Sequence, residues 1–273
     1  MALYQTYNQT DSAAILRELE KETSLPVLSP HAIKIQSEAL KQDPHFSVLA
    51  GLIRKDPTLT GQILKTANSA LYKSAAEILT LKDALTRLGQ IEMVNIIMAK
   101  VHQKNFRSAN PMIREFQGRL WSHSVACATG SLYTARHLSL KEIITKAFIA
   151  GLLHDMGKLH ILAAIESLMD EKAIDASPAP QEIERLQADF HSEAGDALLS
   201  KWHLPEQYRI IARDHHNPHL LDPLLVIVKL SNTLCASLEK RKDAAGETQI
   251  LNSEEARSMG LDESWATGFK EVL

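Results

Sequence analysis

The stretch GLLHDMGKLH, residues 151–160, closes an apolar run from Ala147 to Leu153 with His154 and Asp155, and continues through Gly157 and Lys158. Six apolar residues and a single glycine in seven positions read as a buried element. An imidazole and a carboxylate at its end are desolvated there unless each finds a partner. A cation satisfies both groups at once; the alternative is the polar end of a buried helix. Which of the two holds depends on what the rest of the chain brings to this point.

Working outward, helical periodicity dominates, while sustained alternation and Asn-Gly or Asp-Gly hairpin signals are missing. The expected fold is all-α, a multi-helix bundle. Ser29-Pro30, Asp56-Pro57 and Asn110-Pro111 each set a capping side chain before a proline at the first helical position. Ser139 and Glu142 read as a capping box. Leu81, Ala84, Leu85 and Leu88 form an apolar stripe that stops at Gly89, and Ile91, Val94, Met98 and Val101 form the next. A long helix is expected from Pro111 to Leu138 and another from Leu140 to the opening stretch. The polar segment 170–181 reads as a loop, and helices resume near Glu182, His191, Pro205 and Pro223. The charged stretch from Glu239 to Asn252 reads as a surface excursion, followed by short helices near Glu254 and Ser264. Residues 1–110 are expected to form a helical bundle with a packing or partner-binding role, and residues 111–273 the part that carries chemistry.

The 273 residues carry 30 basic and 33 acidic side chains, a net charge of −3, and 45% apolar content. That content supports a substantial core. The balanced charge offers no broad attraction for nucleic acid or an anionic membrane. The patch Lys240, Arg241, Lys242 reads as a solvated helix end. The start MALYQTYNQTDSA has neither the basic nor the apolar part of a secretion signal, and no unbroken apolar run approaches a membrane span, so a cytosolic protein is expected. Two cysteines, Cys127 and Cys235, are too few for a disulfide framework and read as buried reduced thiols.

Further candidate ligands are spread along the chain: His123 in LWSHSVAC, His191 in FHSEAGDALL, and the pair His215 and His216 after YRIIARD. Imidazole and carboxylate donors suit iron, manganese, nickel or zinc, and a shortage of thiolate argues against a structural zinc site. Taken singly, each histidine is as readily a core or capping residue. Lys158 is open to two readings, as a charge stabilising a phosphoryl oxygen or as a surface lysine favouring a helix dipole. Arg119 is open to two readings, as a partner of Glu115 along its own helix or as a charge pointed toward His123 that would repel a cation there.

As a set, these residues resemble the HD superfamily of metal-dependent phosphohydrolases. WSHSVA at His123 is similar to the first motif and LLHDMGKL to the second. FHSEAGDALLSKWHLP and RIIARDHHNP resemble the additional histidine segments of the HD-GYP branch. LVIVKLSNTL stands where the final aspartate belongs, and offers Asn232. The resemblance implies one metal position of His123, His154, Asp155 and Asn232, weakened because an amide does not neutralise a dication, and a second of Asp155, His191, His215 and His216. Arg119 stands one turn before His123, where the HD-GYP enzymes often carry a glutamate, and no GYP loop follows the paired histidines.

The N-terminal half narrows the family. LPVLSPHAIKIQSEAL, LAGLIRKDPTLTGQILKTANSALY and ILTLKDALTRLGQIEMVNIIMAK resemble HDOD domains, bacterial regulatory relatives of HD enzymes that usually lack the full catalytic set. The resemblance covers residues 20–235. It implies a cytosolic signalling module that binds a protein partner, with a pocket that is degenerate or holds a divalent metal and no organic cofactor. The competing expectation is a hydrolase of a nucleotide or related phosphate ester, with Asp155 on the metal and Lys158 on the phosphoryl oxygens.

Overall fold

The computed structural model describes residues 10–19, 21, 26, 28–72, 77–174, 178–217, 219, 222–239 and 250–273; the patch 240–242 and most of the stretch 239–252 lie outside them. The described residues are helical and contain no strand, as the periodicity predicts. They group into two compact units, Val27–Asn105, and Met1–Pro26 with Phe106–Leu273.

The smaller unit holds α2 (Pro30–Ala39), α3 (Phe46–Ile53), α4 (Pro57–Ala67), a 3-10 turn (Ala70–Tyr72) and α5 (Leu81–Gln103). The proline-preceded caps are present: Ser29 Oγ accepts from Ala32 N, and Asp56 Oδ1 accepts from Thr58 N and Leu59 N, each at 3.1 Å. α5 is broken at Gly89, whose φ of 77° lies in the left-handed region that a glycine enters without cost, so the two apolar stripes on either side turn separately. Asn68 ties the following loop down. Its amide donates to Leu64 O and Ile78 O and accepts from Ile78 N. The core is aliphatic, with Ile35, Leu49, Ile63 and Ile97 buried.

The larger unit holds α1 (Thr10–Leu19), α6 (Pro111–His137), α7 (Lys141–Leu153), α8 (Met156–Asp170), α9 (Pro180–Lys201), α10 (Glu206–Asp214), α11 (Pro223–Glu239) and the short helices Glu254–Ser258 and Glu263–Glu271. Asn110 caps α6, accepting from Met112 N at 3.0 Å and Ile113 N at 3.2 Å. α6 packs on α7, α8 on α9, and α11 on both α6 and α7. Trp265 and Phe269 of the last helix are fully buried. Each such side chain contributes about 1.5–3 kcal/mol of burial, and the Trp265 indole donates to Thr134 Oγ1 at 2.9 Å. The stretch Lys141–Asp170 has the length and apolarity of a membrane span, but 89% of its apolar window is buried inside the protein. It is the centre of the core.

Three local expectations are corrected. Ser139 does not open a helix: with φ of 55° it closes α6, its N–H on Arg136 O and that of Leu140 on Ala135 O, and Leu140 precedes α7 without a side-chain cap. Glu182 and His191 lie on one helix, α9, because no breaker interrupts the apolar face between them. Arg119 turns away from Glu115 and meets Glu184 of α9 at 3.9 Å, with its guanidinium 4.4 Å above the Phe116 ring.

Candidate metal centre

The larger unit brings all the predicted ligands to one point. His123 comes from the middle of α6, His154 and Asp155 from the corner between α7 and α8, His191 from α9, His215 and His216 from the end of α10, and Asn232 from α11. Two close backbone approaches make this possible. A Cβ on Gly151 would lie 2.6 Å from Cys127 O, so α7 sits directly on α6; a Cβ on Gly157 would lie 1.8 Å from His191 O and 2.5 Å from Gly195 N, so α8 sits directly on α9. The glycine after the His-Asp pair is therefore what sets His191 against Asp155.

Asp155 is the hub and is fully buried. Its Oδ1 lies 3.5 Å from His191 Nε2 and 3.5 Å from His215 Nε2. Its Oδ2 faces the other way, 3.4 Å from His154 Nε2 and 3.6 Å from His123 Nε2, and accepts from Lys158 Nζ at 2.5 Å. His216 Nε2 completes the first side, 3.0 Å from His191 Nε2.

The rings are oriented from behind. The Nδ1–H of His154 donates to Gly151 O at 2.8 Å, that of His191 to Gln187 O at 2.6 Å, and that of His215 to Ala212 O at 3.0 Å. A neutral ring with its proton at Nδ1 presents a bare Nε2, the form in which imidazole binds a metal. Burial pushes His154 well below the usual imidazole range despite Asp155 beside it, and lowers His191 by the same cause. His216 keeps an exposed edge; its partial burial and then the neighbouring His215 and His191 lower it to about 4. Burial by itself would raise the Asp155 carboxyl, but the His154 ring, the Lys158 ammonium and His215 outweigh it and hold it well below the usual carboxylate range. Lys158 is the lysine that ion-pairs with Asp155.

Buried lone pairs thus face a buried anion. His154 Nε2 and Asp155 Oδ1 have no hydrogen-bond partner, although an unpartnered buried polar atom costs roughly 1–3 kcal/mol. Nitrogen atoms on bonds of about 2.0–2.1 Å to one ion stand about 3 Å apart when adjacent, which matches the spacing of His191 and His216. His191, His215 and His216 form one set whose ligand atoms lie within 4.8 Å of one another, and His154, Asp155 and His215 another. The donor set fits a divalent cation.

The His123 side differs. Asn232 Oδ1 lies 3.0 Å from His123 Nε2, and Glu239 Oε1 lies 2.9 Å from Nδ1. Cys127, one helical turn on, places Sγ 3.4 Å from the same Nε2. Burial, then Cys235 and more weakly Asp155, push the Cys127 thiol well up. Sequence reasoning passed over Glu239 and Cys127. The second was legible as the i+4 neighbour of His123; the first, 116 residues away, was not. Lys158 stands in the first turn of α8, the end where a helix dipole disfavours a cation, so its reading as a dipole-stabilising surface lysine is replaced by the bond to Asp155. A cleft of about 550 Å³ opens beside the cluster, lined among others by Arg119, Lys158, His216, Lys229 and Asn232.

Comparison with known proteins agrees with this architecture. The family model for the HDOD domain matches residues 25–218. A Treponema pallidum protein of uncharacterized role is 26% identical over 216 residues, 76% of this chain; the chain spans 41% of that relative's length. An HDOD domain protein of unknown function from Geobacter sulfurreducens superposes with a TM-score of 0.68 at 22% identity, covering 96% of this chain and 94% of its own. A Shewanella amazonensis protein named as a candidate metal-dependent phosphohydrolase also gives 0.68, at 19% identity over 94% and 97% of the two chains. A Marinobacter aquaeolei protein named as a candidate signal transduction protein gives 0.65 at 20% identity over 97% and 64%. These likenesses carry the fold, and the matched model, which spans most of the sequence, carries the lineage: the chain belongs to the HDOD domain family.

Proposed function

We propose that this protein is a bacterial, cytosolic regulatory module whose HD-like pocket holds a divalent metal with little or no hydrolysis, and whose helical surface engages a protein partner in signalling. The observation that carries the reading is the asymmetry around Asp155. On the Oδ1 side, His191 and His215 present nitrogens to a carboxylate held ionised, and His216 stands against His191 in the same set. On the Oδ2 side the second anionic oxygen is missing: Asn232 stands at that place, and both nitrogens of His123 already have protein partners. A single carboxylate shared by two positions leaves a pair of dications undercompensated. Bound there, a metal would polarise a phosphoryl oxygen and lower the pKa of a bound water. The chain's own part is to orient the imidazoles through backbone carbonyls and to keep Lys158 on Asp155.

Support for a role in binding also comes from the smaller unit, whose packed aliphatic helices present no comparable set of ligands among the described residues. The test is elemental analysis of untagged protein, followed by assay on phosphomonoesters and cyclic dinucleotides with added divalent metals. We expect retained metal and no turnover. Robust turnover that disappears in His154→Ala overturns the regulatory reading, and less than about 0.1 metal per chain overturns the metal.

The hydrolase reading is favoured by one specific observation, the cleft beside Lys158, His215 and His216. It has room for a small phosphate ester, and Lys158, which is 29% exposed, faces it. The same assay decides between the two.

A further inference from the structure

We propose that Cys127 supplies the missing anion at the His123 side, so that His123 Nε2, Cys127 Sγ, His154 Nε2 and Asp155 Oδ2 form a tetrahedral site for a thiophilic divalent cation such as zinc. The inference rests on the metal-holding reading above and adds a ligand and a selectivity to it.

The geometry is already close, once Asn232 Oδ1, which stands 3.0 Å from His123 Nε2, yields that nitrogen to the ion. Cys127 Sγ lies 3.4 Å from His123 Nε2. Bonds of about 2.3 Å to sulfur and 2.0–2.1 Å to nitrogen at a tetrahedral angle put those two atoms about 3.5 Å apart. Asp155 Oδ2 lies 3.6 Å from His123 Nε2 and 3.4 Å from His154 Nε2, against about 3.4 Å for oxygen and nitrogen on the same ion. The ligand atoms of His123, Cys127 and His154 all lie within 4.8 Å of one another.

An independent observation points to a ligand here. His154 is fully buried, its Nδ1–H is committed to Gly151 O, and its Nε2 has no partner. Behind His123, Glu239 holds Nδ1, the carboxylate–histidine arrangement that fixes a metal-binding imidazole. Lys158 does not compete for the whole of Oδ2, because a carboxylate oxygen carries two lone pairs.

A thiol that loses its proton to water as sulfur binds the ion contributes the negative charge that the amide of Asn232 cannot. Thiolate also sets the preference: zinc and cobalt bind such a site ahead of magnesium and manganese. The Oδ1 side, with three imidazoles and no sulfur, carries no such bias.

The test is titration of the metal-free, reduced full chain with cobalt(II), reading the near-ultraviolet charge-transfer absorption of a cobalt–thiolate bond, with bound cobalt counted by equilibrium dialysis. We expect a saturable band that disappears in Cys127→Ser and survives in Cys235→Ser, with cobalt affinity at this position reduced at least about tenfold in Cys127→Ser, the loss that follows even when a residue that only orients a ligand is removed. Zinc-edge X-ray absorption of the wild type, expected to show one sulfur neighbour at about 2.3 Å, tests the same point without a variant. Cobalt retained with no thiolate band, or a band that survives Cys127→Ser, overturns the ligation by Cys127 and leaves the pocket metal standing. No cobalt retained overturns both.

Discussion

Gly157→Ala puts two physical effects against each other. Helix propensity favours alanine over glycine inside a helix by at most about 1 kcal/mol. The packing opposes it, because the new Cβ would lie 1.8 Å from His191 O and 2.5 Å from Gly195 N. Contacts under 3.0 Å to backbone are not tolerated, so α8 and α9 must part by at least 3.0 − 1.8, or 1.2 Å. Overpacking of a filled core costs typically 1–3 kcal/mol, so packing wins. We expect a net loss of about 1–2 kcal/mol by urea denaturation, equivalent to a fall of about 2–8 °C in Tm for a unit of this size. The same displacement moves His191 away from Asp155 by several times the 0.2 Å tolerance of a metal–ligand distance, so metal affinity measured by calorimetry falls with stability. Gly118→Ala is the internal control: it lies in α6 with nothing within 4 Å of its Cβ and should stabilise by about 0.5–1 kcal/mol. A Gly157→Ala protein as stable as the wild type, with unchanged metal affinity, refutes the argument that this glycine sets the helix spacing on which the site depends.

Zinc at about one hundred times its dissociation constant should raise stability by about 2.7 kcal/mol, or roughly 5–11 °C in Tm, reversibly on chelation. Asp155→Asn should abolish that rise in a thermal scan. His102 of α5 is fully buried, and burial lowers it from 6.5 to about 3. The unfolded chain therefore binds the extra proton between those values, and stability present above pH 6.5 is lost as pH falls, by about 1.4 kcal/mol per unit. The difference in pH slope between wild type and His102→Leu in urea denaturation at pH 5–7 checks this; parallel curves refute it. Asn110→Ala should cost about 1 kcal/mol, since it removes the acceptor for Met112 N and Ile113 N. Equilibrium unfolding measures it.

What the sequence determined by itself is whatever acts over a few residues or by period. The caps at Ser29, Asp56 and Asn110 are bonds between residues two or three apart, and the all-helical class follows from where apolar side chains recur. The histidines were equally legible as candidates, and the resemblance to HD enzymes drew Asn232 into the set. Ser139 shows the limit even at short range: the pattern of a capping box was present, but the chain uses that residue to leave α6 with positive φ. Tertiary structure alone decided that His123, His154, His191 and His215 face one carboxylate, that its two oxygens divide them, and that Glu239 joins His123. The physical reason is that ligand geometry depends on how closely helices approach, to a fraction of an ångström. That approach is set by glycines meeting backbone on another helix, at Gly151 over Cys127 and Gly157 over His191, and no local pattern encodes which backbone they meet.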